Sequence, residues 1–413
     1  MRIPFIRALT QRDFALWWAG QTISLVGDGI FSVALAWQSL QLPNGARTLG
    51  LVFLVRSGAR VAWLLVAGTL ADRYEKRLLM LVGDTVQMVA VGALAYAAST
   101  GDLQAWQLVT VAGVSGAGSA VFLASSSAIV PELVDEEHFQ SANSLRSTSI
   151  VLSDLAGSAT GGVVVAAAGT AAAFTVDAAT FLASIVALTL IRPKPRGERA
   201  TETNVFRQVK EGLGYVVRTP WIWVTLVTVG TLGNCLSWGP LPVLIPLFVE
   251  RQLDGGPEVL GFVFAGYGVG GLAGTVFAGS KRMAFASVVP AYLGWGIGTV
   301  AIGLLAVAPA ALVAAALLAL VGFAGQIAEV TWATLLQKFV PPNLLGRVTS
   351  TDWLVSLSLQ PLGVALAVPV ATWIGVPGAF AAGAAITIAV MTAGLSWRPV
   401  RRILPTAETE AAT

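Results

Sequence analysis

Twelve stretches of mostly apolar residues run through this chain, at roughly 14–41, 48–71, 78–99, 103–128, 143–167, 172–191, 221–249, 259–279, 285–307, 311–336, 349–373 and 376–396. About 20 such residues cross a hydrocarbon layer as one helix. Backbone left unpaired in lipid is costly, so continuous runs of this length fold as helices. A membrane barrel would instead show alternating segments of about 10 residues. Composition agrees: of 413 residues 55 % are hydrophobic and 11 % charged, against about 25 % charged in soluble domains. A soluble globule and a disordered chain are both excluded. The first run is too long for the apolar region of a signal peptide and reads as the first span.

The basic residues set the orientation. With the N-terminus cytoplasmic and the spans alternating, 21 of the 25 Lys and Arg fall on the cytoplasmic side. Arg47 and Arg251 fall outside, and Arg56 and Arg60 lie within the second span. This asymmetry also accounts for the net charge of +3 without a nucleic-acid partner; the expected partner is the bilayer. The longest hydrophilic stretch, 192–220, reads as a cytoplasmic linker with a surface helix near Val205–Val217. It separates two six-helix halves, 1–191 and 221–396, and 397–413 forms a cytoplasmic tail. The expected fold is all-α and integral to the inner (plasma) membrane, with both termini cytoplasmic.

The halves carry an internal repeat. Residues 49–68 and 260–279 align without gaps at an offset of 211, with seven identities in 20. Val130-Pro131 and Val340-Pro341 match at an offset of 210, each ahead of an Arg (Arg146, Arg347) at the foot of the next span. A parallel six-span repeat implies two similar lobes related by an axis along the membrane normal.

After the second span comes Gly68-Thr-Leu-Ala-Asp72-Arg73-Tyr-Glu75-Lys76-Arg77. This resembles the loop signature of the major facilitator superfamily, with Glu75 in place of the usual Gly. The resemblance implies twelve spans in two pseudo-symmetric halves and transport by alternating access. Gly68 is expected to let two helices approach closely. Asp72 is expected to latch the cytoplasmic side by accepting hydrogen bonds from the partly positive start of span eleven. Arg73, Lys76, Arg77, Arg347 and Asp352 complete this expected gate, orientation alone being the alternative role of the basic cluster. On span five, Gly157, Gly161 and Gly162 resemble an eroded exporter motif, or serve small-residue packing. Ser24-Leu-Val-Gly-Asp28 and the Pro131-Glu-Leu-Val loop resemble the branch of macrolide and siderophore (enterobactin-type) exporters.

Charges within spans cost at least about 2.5–3.5 kcal/mol at mid-bilayer and face a cavity or a partner. Asp28 lies near the middle of span one. Arg56 and Arg60 lie one turn apart on span two, with Asp28 as the nearest counter-charge in sequence. Glu329 is the only acidic residue within span ten. Asp28 and Glu329 are the candidate proton-responsive carboxylates; a static ion pair and a packing residue are the respective alternatives. Asp84, Asp154 and Asp177 read as structural residues or as residues near a mouth. Candidate cavity-lining residues are Gln21, Trp37, Gln38, Asn234, Trp238, Gln326 and Trp332, though each also fits packing or an interfacial belt.

Other chemistry finds little support. The chain has one Cys (Cys235) and one His (His138), so no metal or cofactor is expected. Gly266-Tyr-Gly268-Val-Gly-Gly271 lies inside a span, not after a strand, and reads as a packing stripe rather than a dinucleotide site. The expected activity is proton-coupled export of a small hydrophobic or amphipathic compound by a functional monomer, not enzymatic catalysis. An importer or uniporter is the rival within that class, and a non-transporting membrane sensor or assembly factor the rival outside it.

Overall fold

A computed structural model describes residues 4–192, 205–280 and 287–401, apart from some side chains within them. The tail beyond Arg401, most of the linker, and Lys281 and Arg282 lie outside the described residues. Among the described residues there is no strand. Each apolar stretch falls on helix. The first four are α1 (Arg12–Gln41), α2 (Gly45–Arg73), α3 (Lys76–Thr100) and α4 (Ala105–Leu133). The fifth and sixth share α5 (Phe139–Leu152), a π-helical turn at Ser153–Gly157 and α6 (Ser158–Leu190). The expected surface helix is α7 (Val205–Arg218). The seventh stretch is α8 (Pro220–Thr225), two π-helical turns (Leu226–Thr231, Asn234–Trp238) and α9 (Leu241–Gln252). Then come α10 (Pro257–Ser280), α11 (Val289–Leu304), α12 (Ala311–Phe339), α13 (Pro342–Leu357), α14 (Gln360–Ser396) and the short α15 (Arg398–Arg401).

Nine segments among the described residues are long and apolar enough to cross a membrane. Two of these run for 50 and 53 residues, Ser141–Leu190 and Leu344–Ser396, longer than a single crossing requires. Each contains one residue that no α-helix accommodates: Gly169 (φ 79°, ψ 173°) in α6 and Gly375 (φ 79°, ψ 161°) in α14. The chain turns there without a loop. The α2 helix, with Arg56 and Arg60 in its middle, is not among the nine. Large apolar side chains point outward along the whole molecule; Trp373 is 85 % and Val307 75 % exposed, and Tyr96 and Trp106 are exposed as well. Water would penalise such a surface, whereas lipid solvates it and interfacial Trp and Tyr suit its edges.

The repeat leaves a backbone trace. The only non-glycine residues with positive φ among the described ones are Asn44 (59°) and Asp254 (48°). They stand 210 positions apart, in the register of the repeat, just ahead of α2 and α10. Asn and Asp are the side chains that tolerate this left-handed conformation. The Val-Pro pairs, by contrast, serve different ends: α4 runs through Pro131, while Pro341 stands before the first residue of α13. Before Gln360-Pro361 the helix is interrupted at Ser358 and Leu359, and Pro361 falls in the first turn of α14, where its missing N–H costs nothing.

The chain forms two compact units, residues 1–198 with 245–268, and residues 199–244 with 269–413. The first unit takes in the start of α10 for a steric reason. A Cβ on Gly162 would lie 2.9 Å from the Cα of Gly261, so the two backbones touch. Its core at one end gathers Phe14, Trp17, Met80, Ile129, Leu145 and Leu188. The second unit is centred on Trp221, Tyr292, Trp295, Trp332 and Leu335.

Candidate functional site

In the first unit, α1 packs antiparallel on the later half of α6. Gly20 abuts Ser184 and Ala187, and seven residues on Gly27 abuts Asp177 and Thr180. Seven residues are two helical turns, so each set shares a face. The facing stripes are polar. Gln21 Nε2 donates to Ser184 Oγ (2.7 Å), and Ser184 Oγ donates to Asp84 Oδ2 on α3 (2.6 Å). Asp84 is 5 % exposed and Asp177 fully buried. Asp28 lies half-buried on α1. The Arg56 guanidinium interacts electrostatically with both Asp28 and Asp177. Its Nη1 donates to Ser32 Oγ (3.1 Å), and it sits 5.8 Å over the Phe31 ring. Arg60 lies one turn further on, its Nε buried without a hydrogen-bond partner.

Asp28 and Arg56, the expected pair, lie within electrostatic range of each other, in a cluster larger than the sequence suggested. Asp84 and Asp177, read as structural or near a mouth, are buried members of it. The signal that could have found them is the i, i+7 spacing of Asp177 and Ser184. The Asp154 side chain lies outside the described residues.

In the second unit two carboxylates take neutral donors. Trp295 Nε1 donates to Glu329 Oε1 (3.2 Å), and Trp332 Nε1 donates to Asp352 Oδ2 (2.9 Å). Ser356 Oγ donates to Asp352 Oδ1 (3.2 Å). The two indoles meet edge to face at 6.1 Å, and Trp221 adds a further edge contact to Trp332 at 5.5 Å. Glu329 itself is exposed, on a helix whose other surface is apolar. Asn234 Nδ2 donates to Gly230 O (2.7 Å) and to Ser356 O (3.3 Å), bringing the span-seven π turns against α13.

The remaining candidates scatter. Gln38 accepts a hydrogen bond from Thr170. Trp37 and Gln326 are half-buried. The Trp238 ring lies against Gly298 and Gly325, and Trp332 is part of the packed Trp cluster, so both serve the core of this unit.

The expected gate residues behave locally. Arg77 donates from Nε to Leu188 O (2.7 Å) and from Nη2 to Thr189 O (3.1 Å), capping the carbonyl end of α6. Lys76 pairs with Glu132 at 2.7 Å. Arg73 ends α2 on an exposed surface. Glu75, the departure from the family pattern, has φ −63° and ψ 123°, a conformation open to any residue, so glycine is not required there. Gly68 does not carry the close approach expected of it: it is exposed, and a Cβ there meets nothing within 4 Å. The Asp72 side chain lies outside the described residues. Arg347 pairs with Glu211 of α7 at 2.5 Å, and Asp352 turns instead to Trp332. On span five the motif glycines are contact points. A Cβ on Gly29 would lie 2.8 Å from the Gly157 Cα, and one on Gly161 2.9 Å from the Ile30 Cα.

Comparison with known proteins agrees with this architecture. The family profile described as "Transmembrane secretion effector" matches residues 5–410. The multidrug efflux pump Tap of Mycolicibacterium fortuitum is 28 % identical over 86 % of this chain and 88 % of its own. Macrolide efflux protein A of Streptococcus pyogenes is 23 % identical over 87 % and 89 %. The enterobactin exporter EntS of Salmonella typhimurium is 25 % identical over 83 % and 82 %. A solved structure, that of the nucleoside transporter NupG, superposes with a TM-score of 0.69 at 10 % identity, covering 92 % of this chain and 99 % of that one; at this identity it speaks to the fold alone. The apolar helices, the loop signature after α2 and the match over nearly the whole length lead to one assignment: the chain is a multi-pass membrane protein that belongs to the transmembrane secretion effector family of the major facilitator superfamily.

Proposed function

We propose that this chain is a secondary transporter of the inner membrane that exports a small hydrophobic or amphipathic compound in exchange for protons by alternating access. Twelve spans are part of that reading, which is supported by the nine apolar segments, the positive-φ glycines Gly169 and Gly375 within two of them, and α2 with its arginines. The repeat and the cytoplasmic excess of Lys and Arg favour two six-helix halves with both termini inside. Export rests on one observation, the similarity over more than four fifths of each chain to three proteins named for efflux or export. Proton coupling is supported by ionisable groups placed in apolar helices, where they are retained at a cost.

Within this reading Asp28 and Glu329 are proton-responsive, Arg56 and Arg60 hold counter-charge, and the Arg73–Arg77 cluster belongs to the cytoplasmic gate. Everted vesicles loaded with an interior acid gradient provide the test, with ethidium and a macrolide as probes. Accumulation that collapses with the gradient is expected. Accumulation indifferent to the gradient sinks proton coupling, and probe loss from the vesicles would indicate an importer.

A further inference from the structure

Asp177 is a carboxylate of the first unit that the arrangement above leaves unexplained. It is fully buried, and its Oδ2 has no hydrogen-bond partner. Thr180 Oγ1 reaches its Oδ1 only weakly, at 3.4 Å, while donating to the Asp177 carbonyl at 2.7 Å. The carboxylate is nonetheless admitted deliberately. It shares with Thr180 a notch in α1 at Gly27, where a Cβ would lie 2.6 Å from Asp177 Oδ1 and closer still to Thr180 Oγ1. The next residue of α1 is Asp28. Two carboxylates are thus brought to one place, and Arg56 is the guanidinium that interacts with both. Among the described side chains, the other charged groups of the neighbourhood are Arg60 on α2 and Asp84 on α3, the latter held by Ser184. That makes three carboxylates against two guanidinium groups.

Buried charge is tolerated when balanced, and two carboxylates before one cation cannot both stay ionised at low cost. We propose that Asp177 is a further proton-binding residue of this transporter: it and Asp28 share one exchangeable proton in front of Arg56. Binding it converts one carboxylate to a carboxylic acid and takes the five-group cluster from one net negative charge to neutral. Losing it restores the negative charge and draws the pair onto Arg56. The orphaned Oδ2 is the atom that the proton occupies. The proposal deepens the antiport reading, on which its role in coupling rests.

The full chain in proteoliposomes, followed by infrared difference spectroscopy between acidic and alkaline buffer, tests it. With Glu329→Gln as the background, which removes the other proton-responsive carboxyl, the protein is expected to show a buried carboxylic-acid band. Asp177→Asn and Asp28→Asn, each alone, should abolish that band, because either leaves a single carboxylate against Arg56. Survival of the band in Asp177→Asn overturns the proposal. If that variant does not fold, Gly27→Ala decides: it keeps every acid but crowds Asp177 out of its notch, and its band should titrate at a shifted pH. An unshifted titration overturns the proposal too. Ethidium flux in vesicles of the wild type separates the two readings. A band that depends on Asp177, with flux indifferent to a pH gradient, supports the shared proton and refutes antiport.

Discussion

The two compact units partner their carboxylates by opposite means. In the first, Asp28 and Asp177 meet a guanidinium, and Asp84 is held through a Ser184–Gln21 chain. In the second, Glu329 and Asp352 receive indole N–H groups from a stack of tryptophans. A cation favours the ionised carboxylate, whereas a neutral donor accepts either state. The first arrangement stakes more on each partner, because removing one ion of a buried set strands the other. The second spreads its cost over aromatic packing that survives loss of a single hydrogen bond.

The sharpest way to break this contrast is Arg56→Ala. It leaves Arg60 as the one guanidinium of the cluster against Asp28, Asp177 and Asp84 and should cost about 3–5 kcal/mol, with loss of drug efflux from cells. Thermal unfolding in detergent checks the first effect, and Asp352→Asn is the reference in the second unit. Equal losses from the two would abolish the distinction. Next comes Gly29→Ala, whose methyl would meet the Gly157 Cα and the Ser153 carbonyl. It should cost about 1–3 kcal/mol as overpacking and slow transport without preventing membrane insertion. Ser184→Ala breaks two hydrogen bonds and leaves a buried Asp84 oxygen short of its donor, about 1–3 kcal/mol. Trp332→Phe keeps the ring and Asp352 keeps Ser356, so about 1 kcal/mol is expected; denaturation midpoints rank the two. Smallest is Glu211→Gln. Its partner Arg347 is 36 % exposed, as is Glu211, so the change should stay under about 1 kcal/mol and fade with added salt.

Much of the helical layout was legible because lipid imposes one strong rule on long apolar runs, and the relatives extend that reading over the chain. That Asp28 and Arg56 lie within electrostatic range of each other was legible for a similar reason, since few counter-charges exist in an apolar sequence. What stayed hidden depended on which helices face each other. Asp177 looks structural until α6 is laid antiparallel on α1, which places it opposite Gly27. Asp352 reads as a gate residue from its place near Arg347, yet its side chain joins Trp332 of α12. Gly68 departs from its expectation for a local reason: the expectation came from the loop pattern, and a Cβ there meets nothing within 4 Å.

The corner at Gly169 has a consequence of its own. A Cβ there would meet nothing within 4 Å, yet φ is 79° and ψ 173°, a combination that penalises L-residues by about 1–3 kcal/mol. The obstacle is handedness, not crowding. Mirror-image alanine, installed by semisynthesis, would adopt this backbone without that penalty and curb the freedom of the unfolded strand, giving a firmer fold where its natural twin gives a weaker one.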